Sequence, residues 1–259
     1  MPSVVTDGNG AGRGGLRTAL GVVRSLGIYY LHRRRARMDA FYRAFLAPDD
    51  LAFDIGSHVG DRIGCFRRIG ARVLAVEPQP LLVRTLRWLY GRDPAVRIEA
   101  TAVGRESGRA QLRLNRANPT VSTLSTGFIS AARDAQGWES QHWDGAIEVA
   151  CTRLDDLIER HGMPRFVKID VEGYEAEVLG GLTRPVDGLS FEFTTIQKDV
   201  GRRALEECSR LGYSRFNAVL GESYVFVHDV WVDAAAIGRW LDALPHAANS
   251  GDIYARRVD

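Results

Sequence analysis

Short, mostly apolar segments alternate with helical segments along the greater part of this 259-residue chain. The apolar segments have the length and composition of strands that are buried on both faces of a sheet. They comprise residues 51–55, 72–76, 96–100, 166–170 and 189–193. Helical periodicity is found between and after them, at residues 59–69, 78–90, 154–161, 174–182 and 202–211. Strands and helices in this order predict a doubly wound, mainly parallel α/β sheet.

The second half of the chain adds further strands to this pattern. Two short strands, 110–114 and 147–151, are predicted on either side of an irregular insert at residues 115–146. Segments 214–220 and 224–230 flank a three-residue turn and predict an antiparallel hairpin. A mainly parallel sheet that ends in an antiparallel pair is typical of the seven-stranded, Rossmann-like methyltransferase fold. This analogy concerns the fold and does not by itself fix a function.

The N-terminal part of the chain has a different character. Residues 1–15 are rich in glycine and predict a flexible tail. Residues 16–47 place apolar side chains at helical intervals, with an interruption near Gly27, and predict an N-terminal segment of two helices. The α/β domain is expected to occupy residues 48–259 and to include a late helix at 231–244.

Charge, cysteine content and hydropathy exclude several classes of protein. The formal net charge of +2 gives no reason to expect a nucleic-acid partner. Cys65, Cys151 and Cys208 lack the close spacing of a zinc site or a disulfide framework. No apolar segment reaches the roughly 18–20 residues of a membrane span, and no signal peptide is recognisable. A cytoplasmic location is therefore expected.

A basic run lies in the N-terminal helical segment. It contains Arg33, Arg34, Arg35 and Arg37. Such a run either forms a solvated helix face or meets phosphate, an anionic lipid surface or a nucleotide-linked substrate. Peripheral contact with an anionic surface is the partner that these residues suggest.

The turn after the first strand carries the strongest local motif. Gly56 and Gly60 allow a tight turn and a close approach of a ligand to the backbone. The dinucleotide pattern Gly-x-Gly-x-x-Gly is absent, because His58 stands where its second glycine would be. Asp54 disfavours a pyrophosphate and favours a cofactor with an ammonium or sulfonium group, such as S-adenosylmethionine. We expect cofactor contacts from Asp54, Gly56, Ser57, His58, Gly60 and Asp61.

A second anchor follows 21 residues after Gly56, where Glu77 and Pro78 end the second strand. A carboxylate at this spacing suits the two hydroxyls of a ribose. The adenine is expected past the third strand, against Thr101, Ala102 and Val103. Taken alone, the turn with Asp54, Gly56 and Gly60 could be purely structural, and Glu77 could be an acid that stabilises the start of a helix. The spacing of the two motifs relative to each other argues for a cofactor.

The reaction end is predicted at the carboxyl ends of the fourth and fifth strands. Asp170 should face donor and acceptor together, with Glu172 in the following turn. Glu192 lies between two phenylalanines that should point to the opposite face, and is either functional or a buried acid paired with an arginine. These three carboxylates, with His142 and His58, are candidates for the base that takes the acceptor proton.

Two further features bear on the reaction end. The carboxylates of Asp170, Glu172 and Glu192 could hold a hard cation, although a divalent metal is not favoured. The insert at 115–146 places His142 between Trp138 and Trp143, and inserts of this length tend to be lids or binding loops. We expect an acceptor lid; a loop packed on the sheet by its aromatic residues is the alternative.

The motifs together resemble the FkbM family of S-adenosylmethionine-dependent methyltransferases. The likeness covers about residues 40–230 and is carried by segments 54–61, 75–78, 152–157 and 166–182. Its most specific part is Lys168-Ile169-Asp170-Val171-Glu172-Gly173, whereas Ser57-His58 departs from the Ala-Asn that is usual there. The resemblance implies O-methylation, most often of a sugar hydroxyl in a glycolipid, polysaccharide or glycosylated natural product. Carboxylate acceptors are a minority.

Other functions remain as alternatives. A nicotinamide-dependent oxidoreductase is disfavoured by the missing glycine and by Asp54 beside the loop. A binding protein without activity is disfavoured because Asp54, Glu77 and Asp170 are all present. Methylation of a nucleic-acid base usually involves an Asn/Asp-Pro-Pro-aromatic strand end, which Lys168-Ile169-Asp170 does not provide.

Overall fold

The structure, a computed structural model, describes residues 10–30 and 35–257. Its strands are β1 (Leu51–Ile55), β2 (Arg72–Val76), β3 (Val96–Glu99), β4 (Ala102–Val103), β5 (Gly108–Leu114), β6 (Gly145–Thr152), β7 (Phe166–Ile169), β8 (Gly188–Thr194), β9 (Arg215–Leu220) and β10 (Ser250–Arg256). Its α-helices are α1 (Gly10–Tyr30), α2 (Arg35–Tyr42), α3 (Asp61–Ile69), α4 (Pro80–Tyr90), α5 (Thr126–Arg133), α6 (Leu154–His161), α7 (Glu175–Gly180), α8 (Lys198–Arg210) and α9 (Ala234–Ala243).

The main sheet has seven strands in the order β3-β2-β1-β7-β8-β10-β9. Strands β3, β2, β1, β7 and β8 are parallel, and β10 runs antiparallel to both of its neighbours. The predicted doubly wound, mainly parallel sheet is therefore confirmed. The strand order reverses between β1 and β7, and ligands of open α/β sheets bind at such a reversal, outside the carboxyl ends of the strands.

The chain does end in an antiparallel pair of strands, but the predicted hairpin of segments 214–220 and 224–230 was wrong. Strand β9 pairs with β10, and segment 224–230 contributes only an isolated bridge between Val219 and Phe226. Helix α9 lies between the paired strands in the sequence. In β10, Ile253, Tyr254 and Ala255 are fully buried. Because β10 lies between β8 and β9, both of its faces are buried. This burial outweighs the local hairpin pattern of segment 224–230.

The predicted insert is bounded by a small second sheet with the order β4-β6-β5. Strands β5 and β6 contain the two short strands that were predicted and extend beyond them. Between them lie a 3-10 turn at Pro119–Val121 and helix α5. The insert is thus folded against the main domain rather than irregular throughout.

The N-terminal helices differ from the prediction in their bounds. Helix α1 begins at Gly10, inside the predicted tail, and residues 1–9 lie outside the described residues. It continues through Gly27, so the predicted interruption was wrong: a glycine inside a helix costs only about 1 kcal/mol relative to alanine. Its inner face packs Val22 and Leu26 against α4 and the loop before α3.

The basic run is only partly described. Arg33 and Arg34 lie outside the described residues, and Arg35 and Arg37 are exposed on α2. Their contact with an anionic surface stays a prediction. Among the helices that the structure describes, none combines the length and the apolar character that a bilayer crossing requires.

Alternation along β1 directs its side chains to the two faces of the sheet. Phe53 and Ile55 belong to the hydrophobic cluster on one face, and Ala52 belongs to the cluster on the other. Asp54 shares the face of Ala52, one residue from the strand end. The strand is buried around it, so this carboxylate lies in the protein interior next to the turn that follows β1.

Candidate active site

A cavity of about 910 Å³, including its open mouth, lies beyond the carboxyl ends of β1, β2 and β7. Most of the residues predicted from the sequence line it. They are Asp54, Gly56, Ser57, His58, Asp61, Glu77, Pro78, Thr101, Ala102, Val103, Asp170 and Glu172. Gly60, Glu192 and His142 do not line this cavity.

The turn after β1 is held by hydrogen bonds to both neighbouring strands. The Ser57 hydroxyl donates to the Asp54 carbonyl at 2.7 Å and accepts from the Val76 amide at 3.0 Å. Gly56 has a φ of +83°, and a Cβ at this position would lie 1.8 Å from the Asp170 carbonyl oxygen. Glycine is therefore required here by both the backbone conformation and the space.

Gly60 serves packing rather than the cavity. Its φ is +85°, and a Cβ there would come within 2.7 Å of the Tyr90 ring and 2.8 Å of Leu86. The Tyr90 hydroxyl donates to the Gly60 carbonyl at 2.8 Å. Gly60 thus ends the turn and lets α4 approach it closely, which corrects its predicted role as a direct cofactor contact.

His58 connects the turn to the insert. Its backbone amide donates to Glu77 Oε2 at 3.0 Å, and its Nε2 lies 3.2 Å from the Thr120 hydroxyl. Burial lowers the pKa of His58 to about 4, so its ring is neutral near pH 7. A neutral ring in this position organises the loop and is a poor proton acceptor.

Glu77 is almost fully buried at the end of β2. Its Oε1 accepts from the Gln79 amide at 2.8 Å, and its Oε2 accepts from His58. Burial raises the pKa of Glu77 to about 7, although both hydrogen bonds oppose this rise. Each oxygen still has acceptor capacity toward the cavity, as binding of a vicinal diol requires.

Asp54 is the other buried carboxylate of the cavity. Its Oδ2 is buried and has no hydrogen-bond partner within the described residues. Burial, followed by the charge of Asp61, raises the pKa of Asp54 to about 7, against the opposing charges of Arg62 and Lys168. An unsatisfied buried oxygen costs about 1–3 kcal/mol. A cationic ligand group in the cavity would remove this cost.

We expect Asp54→Asn to change the pH dependence of stability. A raised carboxyl pKa stabilises the fold at low pH, and this contribution is lost as the pH rises from about 4 to about 7. The free energy of unfolding of the variant relative to wild type should therefore increase between pH 5 and pH 7.5, as measured by urea denaturation. The exposed Asp229→Asn is the control, and equal slopes for both variants would contradict the assignment.

At the end of β7, Lys168 is buried between two carboxylates. Its Nζ lies 3.1 Å from Asp170 Oδ2 and 2.9 Å from Asp252 Oδ1. Burial tends to raise the pKa of Asp170, but the Lys168 ammonium outweighs it and holds the pKa below its ordinary value. Asp170 is thus ionised near pH 7, and 37% of its side chain is exposed.

Three acids converge behind Asp170. Glu172 has a φ of +56°, and its carbonyl accepts from the Thr123 hydroxyl at 2.7 Å. Glu175 Oε1 accepts from the amides of Val171 and Gly173, both at 3.2 Å, which fixes the turn. Glu192 lines a separate, narrow pocket together with Gly173 and Glu175. The predicted cluster of Asp170, Glu172 and Glu192 is brought together, with Glu192 behind the main cavity.

His142 is exposed and lines neither cavity, which corrects its predicted place at the reaction end. The neighbouring Trp143 faces inward instead. Its indole donates to the Val121 carbonyl at 2.8 Å, and its ring meets Phe128 edge to face. The insert contributes Thr120, Ser122, Thr123 and Leu124 to the cavity wall.

Arg62 is a buried residue of the cavity wall that was not predicted from the sequence. Arg62 forms ion pairs with Asp61 and, at 2.8 Å, with Glu222. Glu222 follows β9 and is 160 residues away from Arg62, so no local signal could join them. Gln79 was also missed, although its position as the residue before α4 offered a signal. Its side chain donates to the Pro119 carbonyl at 3.0 Å and anchors the insert.

Comparison with known proteins identifies the family. The model of the methyltransferase FkbM domain matches residues 54–220, more than half of the chain. The hexuronic acid methyltransferase AglP of Haloferax volcanii is 28% identical over 163 residues, which cover 59% of this chain and 58% of that protein. The match thus spans less than two thirds of the length of that relative.

Two solved structures have a similar fold. Precorrin-6y C5,15-methyltransferase from Geobacter metallireducens is 16% identical, with a TM-score of 0.42 over 86% of this chain and 87% of that chain. The 1,6-didemethyltoxoflavin-N1-methyltransferase of Burkholderia thailandensis is 12% identical, with a TM-score of 0.41 over 100% of this chain and 94% of that chain. On the extent of the match to the family model, the chain belongs to the FkbM methyltransferase domain family.

Proposed function

We propose that this chain transfers the methyl group of S-adenosylmethionine to a hydroxyl of a sugar or glycan-containing acceptor. The observation that carries the proposal is the pair of buried carboxylates, Asp54 and Glu77, on either side of the Gly56 turn in one cavity. Membership of the family supports methyl transfer. The hexuronic acid named for the Haloferax volcanii relative supports a carbohydrate acceptor.

The chemistry of the cavity fits the methyl donor. Asp54 offers an unpartnered carboxylate oxygen to the cationic amino-acid end, and Glu77 offers acceptor capacity to the ribose hydroxyls. Thr101, Ala102 and Val103 form the wall assigned to the adenine. When bound, S-adenosylmethionine supplies an electrophilic methyl group on a sulfonium. The alternative nicotinamide cofactor is disfavoured, since its pyrophosphate would meet carboxylates and a His58 amide that already donates to Glu77.

The charges of the cavity favour a hydroxyl acceptor over a carboxylate. Within the described cavity wall, the cations are Arg62 and Lys168, and each is bound by two carboxylates. Neither is available to neutralise an acceptor carboxylate, which would add another negative charge to an acidic cavity. An uncharged hydroxyl avoids this repulsion.

Asp170 is the residue best placed to receive the acceptor proton. It faces the cavity, and Lys168 keeps it ionised. In-line transfer requires the reacting oxygen about 3–3.5 Å from the methyl carbon, so positioning by the cavity wall is the main contribution. A correctly placed base adds a factor of about 10²–10⁴. Burial and the charge of Asp170 keep Glu172 protonated, and neutral His58 holds the loop.

We expect Glu77→Ala to weaken the binding of S-adenosylhomocysteine by about 1–3 kcal/mol, because charged hydrogen bonds to the ribose are lost. Isothermal titration calorimetry measures this directly. The exposed Glu106→Ala is the matched control and should bind as wild type does. An unchanged affinity of the Glu77 variant would remove this residue from the donor site.

The function itself is tested in two steps. Calorimetry with S-adenosylhomocysteine and with NAD distinguishes a methyltransferase from an oxidoreductase, and binding of NAD alone would reject the proposal. Donor with a labelled methyl group is then incubated with matched neutral glycosides and uronates, and products are identified by mass spectrometry. Labelled ethers of neutral glycosides are expected. Labelled methyl esters of uronates, without ethers, would reject the hydroxyl acceptor.

A further inference from the structure

Three carboxylate side chains lie close together at the carboxyl ends of β7 and β8. One oxygen each from Asp170, Glu172 and Glu192 lies within 4.8 Å of the others. Hard divalent cations bind oxygen at about 2.0–2.6 Å, so two ligands of one ion lie at most about 5 Å apart. The spacing of the three carboxylates therefore fits a shared ion.

The burial of these acids points to a missing positive partner. Glu172 is 7% exposed, and its carboxylate receives no hydrogen bond from any described residue. Oε2 of Glu192 is also buried without a partner in the described part of the chain. Because buried carboxylates without partners are costly, both are expected to have one in the working protein.

The protein's own cations do not fill this role. Lys168 contacts Asp170 and Asp252, and no described lysine, arginine or histidine forms an ion pair with Glu172 or Glu192. The alternative that Glu192 pairs with an arginine is thus wrong for the described residues. No side-chain cation of the described residues therefore supplies the positive charge that Glu172 and Glu192 would need in order to ionise.

The backbone directs the carboxylates to this point. Glu175 Oε1 receives the amides of Val171 and Gly173, which holds the turn between them. The carbonyl of Glu172 is tied to Thr123. The side chain of Glu172 is thereby left to project toward Asp170 and Glu192 rather than being consumed by the turn itself.

We propose that Asp170, Glu172 and Glu192 bind a hard divalent cation at the acceptor end of the cavity. An all-oxygen set without cysteine or histidine selects Mg²⁺, Mn²⁺ or Ca²⁺ over zinc. Since Asp170 and Glu172 line the main cavity, an ion held there polarises an acceptor oxygen that enters it. The site goes beyond the proposed methyl transfer, and its test does not depend on it.

Titration of the full chain with Mn²⁺ alone, followed by calorimetry and electron paramagnetic resonance, tests the site. One ion per chain is expected in wild type, with affinity reduced at least about tenfold in Glu172→Gln and in Glu192→Gln. Glu177→Gln is the control, since this half-buried glutamate on α7 pairs with Arg105 instead. Absence of stoichiometric binding, or equal affinity in all variants, would overturn the proposal.

Two further measurements keep the result clear. Binding of S-adenosylhomocysteine should be retained by Glu192→Gln, which shows that the variant is folded and separates failure of the cation site from failure of the donor site. In wild type, Mn²⁺ should broaden the NMR signals of residues 169–173 and 191–193. Broadening confined to other parts of the chain would overturn the proposal, whether or not the variants fold.

Discussion

Lys168→Met is expected to lower the free energy of unfolding by about 3–5 kcal/mol, the cost of removing one partner from a buried ion pair. The side chain is 1% exposed, and its ammonium lies between Asp170 and Asp252. Methionine fills a similar volume but leaves two carboxylates without a counter-charge. Urea denaturation at pH 7.5 measures the effect.

Two controls separate charge from packing. Adding Asp252→Asn to Lys168→Met removes one of the stranded charges and should recover part of the lost stability. Lys198→Met tests the only other lysine of the chain, which donates to carbonyls at the end of α9. Lys198→Met should lower the free energy of unfolding by only about 0.5–1.5 kcal/mol. Equal losses for Lys168 and Lys198 would contradict the buried ion pairs.

Gly56→Ala is expected to prevent donor binding and to destabilise the fold by more than about 2 kcal/mol, as strain and a backbone clash combine. A methyl group would lie 1.8 Å from the Asp170 carbonyl and would force the turn away from β7. Asp54 and Asp170 would then no longer face the same cavity. Calorimetry with S-adenosylhomocysteine and urea denaturation measure the two effects.

Gly212→Ala is the matched control for this change. Gly212 has a φ of +86°, close to that of Gly56, but nothing lies within 4 Å of the position of its Cβ. It should show only the backbone strain of about 1–2 kcal/mol and bind the donor product as wild type does. If Gly56→Ala behaves like Gly212→Ala, the close approach of the turn to β7 is not required for binding.

Features with a local cause could be predicted from the sequence. Strands β1, β2, β7 and β8 are short apolar segments whose burial follows from their composition, and their parallel order follows from the helices between them. Asp54, Glu77 and Asp170 each lie within one residue of the carboxyl end of a strand, and these strand ends meet at the cavity. Their convergence is a consequence of the fold, so a strand-end position sufficed to find them.

Features that depend on distant parts of the chain could not be predicted in this way. Strand β10 has a weaker local strand pattern than segment 224–230. It occupies its position because it pairs with both β8 and β9, which are distant from each other in the sequence. Glu222 reaches Arg62 only because β9 ends near the start of α3. In the insert, Trp143 is the residue that faces inward, and the neighbouring His142 faces solvent. The residue type of His142 alone did not indicate which way its side chain would point.

The two buried carboxylates, Asp54 and Glu77, are expected to receive a cationic, ribose-bearing methyl donor. A crystal structure of the chain with S-adenosylhomocysteine tests it most directly. We expect the amino group of the ligand within hydrogen-bond reach of Asp54 and the ribose hydroxyls at Glu77, with the adenine against Thr101–Val103. Ligand density elsewhere, with both carboxylates making no contact to it, would contradict the account.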